Sequence, residues 1–231
     1  MANFYPYIQI LAWYFLVAGI LFYLISRKQD SSARSALWTK YGVYLVMVFT
    51  LMLIFGFGYS WSKWMLFFLQ LMAIREWWMV TKQKRALRLC SGLILLLVLF
   101  LPWISFPTQD ELLTYYFFVV IFDGFSQAFG QLIKGPRILP LVSPNKTWSG
   151  FLGAVFMVII ARFYWIDFGW SFGLIILNAM MALSGDFLAS WLKRRSGVKD
   201  FPTVLPGHGG ILDRFDAFFF VLFFMTIFKC I

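Results

Sequence analysis

Cysteine, histidine and charged residues are scarce in this chain of 231 residues. Two cysteines and one histidine are too few for a disulfide framework or for the spacing of a zinc site. Cys90 and Cys230 lie in apolar runs, so we expect inert thiols in the core. Charged residues make up 13% of the chain, whereas soluble domains contain about 25%. A chain with so little polar surface could not cover itself in water, which excludes a separate soluble domain.

Long apolar runs make up most of the chain instead, and 61% of its residues are hydrophobic. A helix of about 20 apolar residues crosses a bilayer core, and a helix satisfies its own backbone hydrogen bonds there. We therefore predict an all-α, polytopic integral membrane protein with about eight transmembrane helices. The predicted spans are residues 7–26, 41–59, 63–80, 89–106, 112–132, 148–165, 168–191 and 210–229.

The basic residues are distributed unevenly between the two ends of these spans, and the net charge is +10. The segments after the first, third, fifth and seventh spans hold Arg27, Lys28, Arg34, Lys40, Lys82, Lys84, Arg85, Arg88, Lys134, Arg137, Lys146, Lys193, Arg194, Arg195, Lys199 and Arg214. The opposite side holds Lys63, Arg162 and Lys229. The positive-inside rule predicts basic loops in the cytoplasm and both termini outside. Because the cations are spread over several loops, nucleic acid is not an expected partner.

Acids, bases, glycines and the one histidine occur together between residues 184 and 216. Asp186, Ser190 and Arg194 are four residues apart in succession, so they share one helix face. Asp213 and Asp216 share a face at the start of the next span. Joining the two faces would give a carboxylate cluster flanked by cations, which suits Mg²⁺ bridging phosphates. The alternative is that these acids cap helices and pair with nearby arginines.

Further candidate residues lie between the spans and inside one of them. Lys146 lies between hydroxyl residues at a loop-to-helix junction, which is a typical anion site, although an interfacial lysine is the alternative. We expect Lys146 and Lys193 to lie at the wet cytoplasmic surface. The turn 206–210 has amides that could approach a phosphate, and His208 would orient this turn or contact the phosphate. Asp123 lies inside the fifth span, where an acid is costly and usually functional.

Three segments resemble one family. The pattern S-x-x-K-R-x-x-x-x-K-D-x-x-x-x-x-P-G-H-G-G-x-x-D-R-x-D, from Ser190 to Asp216, resembles the signature of the CDP-diacylglycerol synthase (phosphatidate cytidylyltransferase) family. The segment S-P-N-K-T-W-S-G, residues 143–150, resembles the family's S-P-x-K-T-x-E-G. The segment D-G-F-S-Q-A-F-G, residues 123–130, resembles its Asp-x-Gly-Ala-Tyr segment. Ser126, Gln127 and Ser149 depart from the pattern, which indicates a divergent branch. The segment Arg75-Glu76-Trp77 resembles the family more weakly, and the role of Arg75 and Glu76 stays open.

We predict a single transmembrane catalytic domain over residues 1–231, with scaffold spans in 1–110 and motif-bearing spans and cytoplasmic loops in 111–231. The resemblance covers roughly the C-terminal half of the chain. It implies cytidylyl transfer from CTP to phosphatidate, Mg²⁺ with K⁺ as a second ion, and a homodimer in the cytoplasmic membrane of a bacterium. Catalytic roles fall on Asp186, Asp213, Asp216 and Lys193, with Asp186 and Asp213 as metal ligands. The implied substrate-binding residues are Asp123, Ser143, Asn145, Lys146, Thr147, Ser190, Arg194, Lys199, His208, Gly209, Gly210 and Arg214.

Two alternatives remain at this stage. A related CTP-using lipid enzyme, such as a polyprenol kinase or a CDP-archaeol-type synthase, would share much of the site, but a kinase would release CDP whereas a synthase releases pyrophosphate. A transporter or lipid-binding membrane protein without chemistry would place charges near the membrane midplane on broken helices. The charges of this chain gather at one face instead.

Overall fold

The computed structural model describes residues 5–27, 30–164, 169–202 and 209–230. Within these ranges the regular secondary structure is helical apart from a small two-stranded antiparallel sheet. The elements are α1 (Tyr5–Ser26), α2 (Ser31–Phe57), α3 (Tyr59–Thr81), α4 (Arg85–Phe100), a 3₁₀ turn (Leu101–Trp103), α5 (Gln109–Ile133), β1 (Arg137–Leu139), β2 (Ser143–Thr147), α6 (Trp148–Tyr164), α7 (Phe172–Ser196) and α8 (Leu212–Cys230).

The helices are those of a polytopic membrane protein, so the predicted fold class is confirmed. Five described helices, α1, α2, α4, α5 and α7, are long and apolar enough to cross a membrane, and α6 is a shorter apolar helix. Helices α3 and α8 have 23 and 19 residues but include acidic and basic side chains. The number of eight spans therefore stays a prediction. Many large apolar side chains face outward, including Trp64, Leu93 and Phe163, as expected for a surface in contact with lipid.

Helix α5 is the centre of the bundle and contacts α1, α2, α6 and α8. It begins at a capping box in which Thr108 accepts from the Glu111 amide and Glu111 accepts from the Thr108 amide. Most of its side chains are buried, and Phe117 and Phe118 are fully enclosed. Asp123 lies on this helix, and its Oδ1 is buried in the interior of the protein.

Several predicted boundaries were wrong. The polar segment 27–40 is largely helical, because α2 begins at Ser31, and hydropathy does not mark a helix that continues beyond the membrane. The stretch 133–147 is largely non-helical as expected, but it contains the β1–β2 pair, which was not predicted. Helix α7 continues to Ser196 and ends at Gly197, whose φ of 82° is the left-handed conformation of a helix C-terminus.

The cysteines also differ from expectation. Cys90 and Cys230 are exposed free thiols rather than core residues. In a membrane protein an apolar run does not imply burial in the protein, because the lipid-facing surface is apolar too.

Side-chain contacts show which loops lie at the same end of the bundle. Lys84 donates to the carbonyl of Arg195, which joins the loop after α3 to the end of α7. At the opposite end, Lys229 at the end of α8 bonds Glu111 at the start of α5, with 2.5 Å between nitrogen and oxygen. Strand β2 packs against α5, α6 and α7.

Candidate active site

Lys146 is the cation of a largely buried ion pair. Strand β2 carries it to α7, where its Nζ binds Asp186 Oδ2. The side chains of Lys146 and Asp186 are 24% and 16% exposed. The expectation that this lysine lies at the wet surface was therefore wrong. A short strand turns the side chain inward, and the carboxylate on α7 compensates its charge.

Three carboxylates act on Lys146 together. Burial lowers the pKa of Lys146, but the charges of Asp186 and Asp123 outweigh burial and raise that pKa above its ordinary value, with a smaller contribution from Asp216. Lys146 is therefore protonated at physiological pH. These four residues come from β2, α5, α7 and α8, and we call them the Lys146 cluster.

Close packing of α7 against α8 places Asp216 in this cluster. A Cβ on Gly185 would lie 2.6 Å from the carbonyl oxygen of Asp216, so only glycine permits the two helices to approach this closely. Asp186, the residue after Gly185, is thereby held near Asp216. The Asp216 side chain is buried and accepts from the Ala217 amide at 2.8 Å. Within the described part of the chain, Asp123 Oδ1 is buried without a hydrogen-bond partner.

Asp213 belongs to a second ion pair, with Lys193 of α7. Lys193 Nζ lies 2.5 Å from Asp213 Oδ1, and the two side chains are 13% and 10% exposed. Asp213 Oδ2 also accepts from the amides of Phe201 at 3.0 Å and Gly210 at 3.2 Å. Both oxygens are thus engaged. Lys193, like Lys146, was wrongly expected at the wet surface.

The donor chemistry fits a hard cation in combination with phosphate. Mg²⁺ prefers oxygen ligands and is commonly held by one or two carboxylates together with substrate phosphates. In the described ranges no group of three or more His, Cys, Asp or Glu side chains forms a metal site by itself. The unpartnered oxygen of Asp123 and the buried carboxylates of Asp186 and Asp216 are suitable oxygen donors. The sharing of one ion by Asp186 and Asp213 stays a prediction, because each has its own lysine partner.

The other predicted binding residues lie around the two ion pairs, with different exposures. Thr147 caps α6, since its Oγ1 accepts from the Gly150 amide at 3.2 Å. Ser190 is half-buried one turn after Asp186, whereas Arg194 and Lys199 are exposed. The remaining predicted residues are Ser143, half-buried, and Asn145, exposed, on β2; Gly209, with φ of 73°; Gly210, buried; and Arg214, half-buried in the first turn of α8. His208 lies outside the described residues.

A cavity with both polar and aromatic lining residues borders the site on the side of α1 and α2. It has a volume of about 240 Å³, and Asp123, Asp213 and Arg214 line it together with aromatic side chains such as Tyr14 and Tyr44. The N-terminal helices thus form a wall of the site. The division into scaffold residues 1–110 and motif-bearing residues 111–231 remains a prediction.

Another acidic side chain, whose role the sequence leaves open, lies beside this region. Glu76 of α3 is fully buried, and its carboxylate accepts from the amide of Ile211 at 2.7 Å and from the amide of Leu212 at 2.8 Å. A carboxylate inside an apolar helix was the available signal, because such groups are rare unless they have a role. Its partners are backbone amides, which no side-chain pattern reveals.

Fold and site together define a polytopic membrane protein with two largely buried lysine–carboxylate pairs, one between β2 and α7 and one between α7 and α8. A family model described as "Cytidylyltransferase family" matches residues 2–231, and the chain belongs to that family.

Similar proteins carry the name phosphatidate cytidylyltransferase. The protein from Staphylococcus aureus (strain COL) is 38% identical over 133 residues, which cover 53% of this chain and 51% of that protein. The protein from Rickettsia felis is 29% identical over 213 residues, 81% of this chain and 94% of that protein. The match thus spans about half the length of the staphylococcal relative. No solved structure matches this chain.

Proposed function

We propose that this protein transfers the cytidylyl group of CTP to phosphatidate, forming CDP-diacylglycerol and pyrophosphate. The observation that carries the proposal is the pair of buried lysine–carboxylate contacts, Lys146–Asp186 and Lys193–Asp213, within a chain that matches the cytidylyltransferase family along its length. The names of the relatives supply the lipid substrate.

The reaction requires two polyanions to meet. An oxygen of the lipid phosphate attacks the α-phosphorus of CTP, and the bond from that phosphorus to the oxygen bridging the α- and β-phosphates breaks. The bridging oxygen leaves with pyrophosphate and keeps the electron pair. Because the lipid phosphate is already an anion, no strong general base is required. The main barrier is repulsion between the phosphates, which positioned cations lower.

Lys146 and Lys193 are suited to this neutralisation. Each ammonium group is held in place by one carboxylate and has further N–H donors for a phosphate oxygen. Lys146 stays charged because its pKa is raised. Arg194 and Lys199, both exposed beyond Lys193, can attract the triphosphate from the water.

Mg²⁺, when bound, would offset the charge of the phosphates and help to orient the α-phosphate toward the attacking lipid phosphate. Asp186 and Asp213 are the ligands implied by the resemblance, and Asp123 and Asp216 are the further oxygen donors near Asp186. We propose that the site faces the cytoplasm, the source of CTP, with both termini outside. K⁺ as a second ion and a homodimer are further parts of the proposal that come from the resemblance.

The metal assignment is tested with Asp186→Asn, Asp213→Asn and the double variant. Asn keeps the shape of Asp but lacks the charge that binds a hard cation. If both carboxylates serve one ion, each single variant loses most of the turnover, and the double variant is no worse than the poorer single, because such units are non-additive. Turnover should also stop with a chelator and return with Mg²⁺.

Mg²⁺ binding measured by calorimetry provides a readout independent of turnover. Loss of binding in Asp186→Asn with normal binding in Asp213→Asn would remove Asp213 from the metal site. Normal binding in both variants would place the ion elsewhere.

A further inference from the structure

Helix α8 begins without a capping side chain of its own. The first amides of any helix lack partners within the helix, and a Ser, Thr, Asp or Asn before the first turn usually accepts from them. The residues before α8 are Gly210 and Ile211, which have no such acceptor. Left unpaired in a buried setting, these amides would be costly. The acceptors therefore have to come from elsewhere in the chain.

Glu76 on α3 supplies them. Its Oε1 accepts from the Ile211 amide at 2.7 Å, and its Oε2 accepts from the Leu212 amide at 2.8 Å. A carboxylate at this point also favours the positive end of the helix dipole. The two residues are separated from Glu76 by 135 and 136 positions, so the contact joins the two halves of the chain.

The fit between Glu76 and the start of α8 is tight. A Cβ on Gly210 would lie 2.4 Å from Glu76 Oε2 and 2.7 Å from the Cβ of Phe201, so glycine is required for this approach. The Gly210 amide in turn donates to Asp213. Two carboxylates from different helices thus bind three consecutive amides, those of Gly210, Ile211 and Leu212.

We propose that Glu76 is a positioning residue, which fixes the first turn of α8 and thereby places Asp213 and Asp216 at the active site. Asp213 directly follows Leu212, whose amide is one of the two that Glu76 accepts from. Asp216 lies one turn further along the same helix. A carboxylate that shifts by about 1 Å can lower an enzyme's rate about 100-fold. The inference rests on the proposed function for its kinetic part, but the cap itself can be measured without turnover.

Two variants separate the reach of Glu76 from its charge. Glu76→Gln keeps the length but turns an N–H₂ group toward one of the two amides, and Glu76→Asp keeps the charge but withdraws it by one methylene. A positioning role requires both oxygens at the right distance, so both variants should lower kcat about 10- to 100-fold, with the KM for CTP changed less than about threefold. A role of charge alone would leave Glu76→Asp near normal.

Gln70 offers a matched control on the same helix. It is also buried, its Nε2 donates to the Leu99 carbonyl at 2.6 Å, and its Oε1 accepts from Trp103 at 2.9 Å, away from α8. Gln70→Leu should lower the thermal midpoint, as we also expect of the Glu76 variants. Its kcat, measured at a temperature well below that midpoint, should stay near that of the wild-type protein. If kcat falls in proportion to the midpoint in all these variants, Glu76 is only a structural residue.

Hydrogen exchange of the segment 209–216 tests the cap directly. Exchange there should be at least about tenfold faster in Glu76→Gln than in the wild-type protein, and unchanged in Gln70→Leu. Unchanged exchange in Glu76→Gln would overturn the inference. If the wild-type protein transfers no cytidylyl group, the proposed function fails, whereas the exchange result still decides whether Glu76 holds the start of α8.

Discussion

Replacing Lys146 with Met tests the Lys146 cluster by removing its cation at similar side-chain length. The variant leaves Asp186 without its ion-pair partner, and the carboxyl groups of Asp123 and Asp216 remain nearby. We expect a loss of both stability and turnover, because the same ammonium group balances buried carboxylates and is proposed to bind phosphate.

The structure sets the size of both effects. Removing one partner of a fully buried ion pair costs about 3–5 kcal/mol. The Lys146 and Asp186 side chains are 24% and 16% exposed, so water screens part of the charge and the lower end, about 3 kcal/mol, applies. Loss of one positioned electrostatic contact to the reacting phosphates lowers kcat by about 100- to 1000-fold.

Two further variants separate the effects. In Lys146→Met with Asp186→Asn no unpaired charge remains at the pair, so the thermal midpoint should rise above that of Lys146→Met while turnover stays low. Lys229→Met removes an ion pair at the opposite end of the bundle, whose side chains are 29% and 34% exposed. A pair as exposed as this contributes about 0–1 kcal/mol, and turnover should not change.

The assay combines thermal unfolding in detergent with the initial rate of cytidylyl transfer at a temperature well below every midpoint. If Lys146→Met keeps near-normal kcat, the cluster does not contact the reacting phosphates. If the double variant is less stable than Lys146→Met, the unpaired charge of Asp186 is not what destabilises Lys146→Met. That result would refute the claim that Lys146 compensates the charge of a largely buried carboxylate.

Two other predictions concern sidedness and pH. With the native cysteines replaced by Ser, a cysteine at the exposed position Asp110 should react with an impermeant reagent from outside the cell, and one at the exposed position Ser32 should not; the reverse result would place the site away from CTP. A lysine whose pKa is raised loses its charge only as the pH climbs through the raised value, so Lys146 should stay charged from pH 7 to at least about 10. The alkaline limb of the rate profile should therefore be the same in the wild-type protein and in Lys146→Arg, and a limb that moves would contradict this.

The membrane fold could be predicted because its cause is local. An apolar run of about 20 residues has few alternatives to a membrane helix. The ends of the helices could not be predicted as well. Helix α2 begins at Ser31 in a polar stretch, where no apolar pattern marks a helix, and the strand β2 depends on its pairing with β1.

The shared face of Asp186, Ser190 and Arg194 was predicted only in part. Residues eight apart on a helix are rotated by about 80° from each other, because 3.6 residues make one turn. Asp186 accordingly faces inward to Lys146, whereas Arg194 is exposed. The choice of partner for each carboxylate could not be predicted, since it depends on how closely α7 and α8 pack at Gly185.

The fate of each phosphorus atom of CTP tests the proposed function most directly. Purified protein is incubated with phosphatidate, Mg²⁺ and CTP labelled at either the α- or the γ-phosphorus, and the lipid and water phases are separated. We predict that the α-label enters the lipid and the γ-label is recovered as pyrophosphate, in equal amounts. Transfer of the γ-label to a lipid with release of CDP would identify a kinase, and absence of either transfer would contradict an enzymatic role on this lipid.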